Sequence, residues 1–177
     1  MATQRIADGL YQIGLGMVNC FFSVAEGKRV TIIDTGTPGS ADRIQAAIEG
    51  EGYSLENVEA IVLTHIHADH VGAAAELKRR TGAIVYAHPD DAPLINEGTV
   101  MRPVTPGPGL LLKLMVPLMS AFSSKPGDPI QVERTVADGD SIDAGGGFTV
   151  VHTPGHTIGH ISLVWHPTPV LLVADAA

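Results

Sequence analysis

The chain of 177 residues holds a single cysteine, Cys20, so no disulfide can form within it and a disulfide-stapled scaffold is excluded. Aromatic residues make up only 5% of the sequence. Basic residues are also few: 11 Lys and Arg stand against 19 Asp and Glu, a formal charge of −8. That balance argues against a broad nucleic-acid footprint or attraction to anionic lipid. Long apolar runs are missing as well. The longest, residues 109–122, is interrupted by Lys113 and Pro117 and falls short of the about 20 residues that a membrane span needs. Residues 1–9 contain Arg5 and Asp8 and no apolar core of a signal peptide, so a cytoplasmic protein is the default expectation. What remains is a chain that is 45% hydrophobic, sufficient for a core and too apolar for disorder. Eight histidines are the unusual count.

The order of elements reads as α/β. Residues 10–14 and 18–25 are rich in Val, Phe and Tyr and predict strands. The run Val30-Thr31-Ile32-Ile33-Asp34 predicts a strand covered on both faces. Ser40 is placed to cap a helix running to about Gly50, with Ile44, Ala47 and Ile48 on one face. A buried strand over residues 60–64 leads directly into His65-Ile66-His67-Ala68-Asp69-His70, and one helix is expected from there to Thr81, closed by Gly82. Residues 83–87 predict the next strand. Residues 90–130 are proline-rich and read as an insertion of loops and short helices. Strands resume over 132–136, 147–153, 161–165 and 170–174. Cys20, in an apolar strand, is expected to be a buried, inert thiol.

The chemistry concentrates in residues 65–70. Side chains two apart on an extended segment project to the same side, so His65 and His67 can grip one ion from a single strand end. Asp69 and His70 follow where the chain turns into the helix, whose N-terminus favours a carboxylate. Imidazole and carboxylate suit zinc, with iron or manganese as other options. His88, His152 and His166 are expected to be structural.

The pattern HxHxDH resembles the signature of the metallo-β-lactamase superfamily of metal-dependent hydrolases. Ile32-Ile33-Asp34-Thr35-Gly36 is similar to that family's first motif, residues 153–160 (TPGHTIGH) to its third, and Val170-Leu171-Leu172-Val173-Ala174-Asp175 to its fourth. The resemblance implies one domain over residues 1–177 with an αββα sandwich, two mixed β-sheets flanked by helices, its second half incomplete. It implies a two-ion site, with His65, His67 and His156 on the first metal, Asp69 and His70 on the second, and Asp175 bridging. Asp34 would orient a ligand histidine, and His160 would hydrogen-bond near the site without binding metal. Asp69 would also pass a proton to the leaving group.

The activity so implied is hydrolysis of a small-molecule ester, thioester, lactone or amide by a hydroxide held on zinc. Residues 99–125 could form an apolar flap over the site. Two other readings stay open. One is a mononuclear iron enzyme resembling the persulfide dioxygenases, with iron on His65, His156 and Asp175. The other is a catalytically impaired metal-binding fragment. The family pattern continues past the bridging aspartate to a final histidine on the second metal, whereas this sequence stops two residues after Asp175. The first position is therefore expected to bind more tightly than the second, and an uncovered sheet edge would favour homo-oligomers.

Overall fold

The structure is a computed structural model and describes residues 3–99 and 127–176. In chain order its strands are β1 (Thr3–Ala7), β2 (Leu10–Gly14), β3 (Asn19–Val24), β4 (Val30–Ile33), β5 (Val58–Val62), β6 (Ile84–Ala87), β7 (Arg134–Thr135), β8 (Ser141–Ile142), β9 (Phe148–His152), β10 (Ile161–Trp165) and β11 (Val170–Leu172). The helices are α1 (Ala41–Gly50), α2 (Ala68–Val71), α3 (Ala74–Thr81) and α4 (Ala92–Asn96). Among the described residues, β1 to β7 form one sheet in sequence order and β11-β10-β9-β8 form a second. The first sheet is mixed. It is antiparallel from β1 to β4 and parallel from β4 to β7. The four described strands of the second are antiparallel.

Alternation along the central strands builds two cores. Ile32, Ile61 and Val85 face α1 and α3, packing on Ile44, Ile48 and Leu77. Their neighbours Ile33, Ala60, Val62 and Tyr86 face the second sheet and meet Phe148, Val150, Leu163 and Trp165. Period-two side chains on strands buried on both faces require this double assignment. The result is the layered α/β sandwich expected from the sequence, with helices on one face of the first sheet and the second sheet on the other. Trp165 is fully buried, and its indole N–H donates to the Gly145 carbonyl at 2.9 Å. Cys20 is fully buried too, and burial pushes its thiol well above the usual range, as expected of an inert side chain.

Several local expectations are corrected. β1 was not legible as a strand. The single helix expected after His70 is two, α2 and α3, broken at residues 72–73. A Cβ on Gly72 would stand 2.4 Å from Pro38 Cδ and from the Ala68 carbonyl, so the chain is pressed against residue 38 at the break. Ser40 makes no side-chain cap. It has helical backbone angles (φ −80°, ψ −9°), and its hydroxyl lies 3.4 Å from that of Thr37. The strand expected over 132–136 shortens to Arg134–Thr135. The apolar flap expected over residues 99–125 lies almost wholly outside the described residues. Among the described residues, no helix is long and apolar enough to cross a membrane.

Candidate metal centre

The parallel strands β4, β5 and β6 point their carboxyl ends to the same edge of the sheet, where open α/β sheets place their ligands. Asp34 follows β4, His65 and His67 follow β5, and His88 follows β6. Residues 64–66 form a bend where an extended strand end was expected, with Ile66 buried in the helix-side core. His65 and His67 nevertheless reach the same space, as their ring contact shows. His70 is carried on α2. His156 lies on the loop between β9 and β10, and Asp175 follows β11.

These elements converge. One nitrogen each of His65, His67 and His156 lie within 4.8 Å of one another, and so do donor atoms of His65, His70 and Asp175. His65 belongs to both groups and is the hub. Its ring centroid stands 4.8 Å from those of His67 and His156, 4.0 Å from His70 and 5.1 Å from His160. Asp175 sits between the groups, with Oδ1 3.4 Å from His70 Nε2 and Oδ2 3.4 Å from His156 Nε2. Asp69, which sequence reasoning placed on the second metal, is in neither group. It lines an adjoining cavity of about 370 Å³ together with His70, Asp175, Met17, Phe21 and Leu172.

Buried hydrogen bonds fix which nitrogen of each ring faces inward. Asp34 is buried and has a left-handed backbone (φ 57°), uncommon for a residue with a side chain. Its Oδ1 accepts from the Thr64 backbone N–H at 2.8 Å. Its Oδ2 accepts from the Thr64 hydroxyl and from His70 Nδ1–H, each at 2.8 Å. Because Thr64 gives its proton to Asp34, its oxygen accepts from His65 Nδ1–H at 3.1 Å. Both rings thus turn Nε2 inward, bare on His65 and, in the metal-free chain, still protonated on His70 up to about pH 9. These two nitrogens are buried and make no hydrogen bond. Buried polar atoms left so are costly unless something occupies the space before them. A divalent ion, taking the lone pair of His65 and displacing the proton of His70, fits that requirement.

Thr64 was not singled out from sequence, since only its contact to Asp34, 30 residues away, reveals it. His160 lies outside both groups. Its Nδ1 donates to Thr153 Oγ1 at 2.8 Å, and its Nε2 accepts from the Asp175 backbone N–H at 3.3 Å. A third cluster, His88, Asp90 and His152, also brings donor atoms within 4.8 Å. There the two rings are stacked, 4.1 Å apart and 11° from parallel. Ring lone pairs lie in the ring planes, and two parallel planes do not converge on one ion.

Protonation follows from the same contacts. Burial, reinforced by the surrounding imidazoles, pushes His65 down to about 2. Burial also opposes charge on His70. The Asp34 hydrogen bond, with the charges of Asp34, Asp175 and Asp69, outweighs it and raises His70 to about 9. Below about pH 6.5 the unfolded metal-free chain takes up a proton on His65 that the folded chain refuses, so stability falls as pH falls. Between there and about 9 the folded chain keeps on His70 a proton that the unfolded chain releases, so stability falls as pH rises. Urea midpoints measured in chelator are expected to peak near neutrality. A steady rise to pH 9 would contradict the His70–Asp34 pairing.

The family model described as the metallo-beta-lactamase superfamily matches residues 13–177. The chain belongs to the metallo-beta-lactamase superfamily. Within this superfamily it is similar to the probable metallo-hydrolase YflN of Bacillus subtilis (strain 168), at 32% identity over 177 residues, covering 96% of this chain and 64% of that protein. The hydroxyacylglutathione hydrolase GloC of Haemophilus influenzae is 30% identical over 158 residues, covering 89% of this chain and 65% of its own length. Among solved structures, the class B3 di-zinc metallo-beta-lactamase LRA-12 from an Alaskan soil metagenome is 30% identical, with a TM-score of 0.76 over 92% of this chain and 56% of that one. The chain thus spans between 56% and 65% of the length of these metallo-beta-lactamase superfamily relatives.

Proposed function

We propose that this protein is a metal-dependent hydrolase of small molecules, cleaving an ester, thioester, lactone or amide. The observation that carries the reading is the convergence of His65, His67 and His156 beside His65, His70 and Asp175, with two buried nitrogens aimed into the shared space. His65, His67 and His156 would hold one ion, and His70 and Asp175 a second, zinc before iron or manganese on the chemistry of nitrogen-rich donors. A divalent ion bound there would supply Lewis acidity and lower the pKa of a water from 15.7 to about 7.

The chain's own residues set the rest. Asp34 and Thr64 hold His70 and His65 in the tautomers whose Nε2 can bind. Asp175, with one oxygen toward each group, ties them together. Asp69 faces the adjoining cavity, where its carboxylate can take up a proton from the attacking water and then, as the acid, hand it to the departing group. Met17, Phe21, Leu171 and Val173 give that cavity an apolar wall suited to an acyl chain.

The test is a panel of thioester, lactone, ester and β-lactam substrates offered to the full chain after chelation and after zinc loading. Hydrolysis of at least one class is expected only in the loaded protein, with a loss in His67→Ala at least as large as the about 10- to 100-fold that follows removal of partners behind metal ligands. A fully loaded protein inert across the panel would reduce it to a metal-binding fold. Oxygen consumption on a persulfide by iron-loaded protein would favour an oxygenase instead.

A further inference from the structure

We propose that the turn joining β6 to α4 is a clamp that sets the position of His156, and that Asp91 is its positioning residue. The inference rests on the reading of His156 as a metal ligand. His156 is exposed and sits in the loop between β9 and β10, so no strand or helix of its own fixes it. Besides its own backbone bonds, Thr153 N–H to the His160 carbonyl and Gly155 N–H to the Thr157 carbonyl, the loop is held from residues 88–91.

Asp91 is fully buried, although it stands at the start of a five-residue helix where an aspartate is normally half in water. It occupies the N-cap position of α4 yet makes no side-chain cap. Its carboxylate is turned to the other loop. Oδ2 accepts from the Thr157 hydroxyl at 2.9 Å, and Oδ1 accepts from the Gly159 N–H at 3.2 Å. These two bonds grip the residue next to His156 and the residue three beyond it. The approach is close. A Cβ on Gly159 would stand 2.6 Å from Asp91 Cγ, so only a bare Cα admits the carboxylate.

A second contact works in the same direction. His152 Nε2 donates to the Ile158 carbonyl at 2.7 Å, and its ring stacks on His88 of the same turn. The stacked pair thus belongs to the clamp. The bottom of the His156 loop is held by the Asp91 carboxylate, which follows β6, and by His152 at the end of β9, whose ring His88 stacks on from the β6 side. This matters for metal binding because a ligand on a loose loop must be ordered by the ion itself, and that entropy is subtracted from affinity.

The experiment is zinc affinity by competition with a chromophoric chelator, together with the visible spectrum of the cobalt(II) form, on the full chain. Variants are Asp91→Ala, Asp91→Asn, Thr157→Val and His156→Ala. Asp91→Ala is expected to weaken binding about 10- to 100-fold, the range seen when partners behind metal ligands are removed. Its cobalt spectrum should move toward that of His156→Ala. Thr157→Val should follow in the same direction with a smaller effect, and Asp91→Asn, which keeps an acceptor, should recover part of the loss. Asp91→Ala and Thr157→Val that bind zinc as wild type does, with unchanged cobalt spectra, would overturn the clamp while leaving the metal centre intact. If Asp91→Ala does not fold, Thr157→Val and Asp91→Asn decide: wild-type affinity in both overturns the proposal. A wild type that binds no zinc overturns the metal centre and the clamp together.

Discussion

Asp34→Ala lowers the unfolding free energy of the metal-free protein by about 3–5 kcal/mol at neutral pH, the range for removing one partner of a buried pair. The side chains of Asp34 and His70 are 6% and 5% exposed, so solvent does little to screen their contact. The substitution deletes the acceptor for three donors at once: the Thr64 N–H, the Thr64 hydroxyl and His70 Nδ1–H. It also strips His70 of the interaction that holds its pKa up. Burial then dominates, and the ring becomes neutral at neutral pH. The fall in stability between about pH 6.5 and 9 should therefore shrink in the variant. Urea unfolding at pH 7 and pH 9, in chelator, measures both effects. A loss under about 1 kcal/mol with an unchanged pH slope would mean that the carboxylate is peripheral to the centre.

Zinc is expected to stabilise the protein by a comparable amount. Free zinc at 1,000 times the dissociation constant of a site that exists only in the folded chain adds about 4.1 kcal/mol. For a chain of this length that is about 8–16 °C in melting temperature. Chelation should return the melt to its starting point. His65 belongs to both donor groups, so His65→Ala should abolish the shift, whereas Asp175→Ala should remove only the part due to the second group. Binding at His70 must also expel the proton held there with a pKa of about 9, so the second group should load more readily as pH rises toward that value. Scanning calorimetry with and without zinc follows all of this. An unchanged melting temperature at saturating zinc would contradict a site built into the fold.

Much of the site was legible because its ligands are local in sequence. His65, His67 and His70 fall within six residues, so their proximity was legible, although a bend at residues 64–66, and not the alternation of an extended strand end, brings them together. The strand run at residues 30–33 was equally plain, since burial on both faces leaves an unbroken apolar signature. β1 was not, because it is an edge strand with little apolar pattern, Thr-Gln-Arg-Ile-Ala, held to β2 through its backbone. The break between α2 and α3 depends on Pro38, a contact across more than thirty residues that no helical period announces. Thr64 and Asp91 are hidden for the same reason. Each is a single polar residue whose meaning lies in partners 30 and 66 residues away. Asp69, which its place in the motif assigned to the second metal, lies outside both donor groups and lines the cavity that His70 and Asp175 also line.

The central claim is that His65, His67 and His156 hold one ion, and zinc K-edge absorption on protein carrying one equivalent of zinc tests it most directly. The account predicts a nitrogen and oxygen shell at about 2.0–2.1 Å with the outer-shell scattering of about three imidazoles, reduced by one in His156→Ala. A sulfur shell at about 2.3 Å, or a wild-type spectrum with no imidazole scattering, would contradict it.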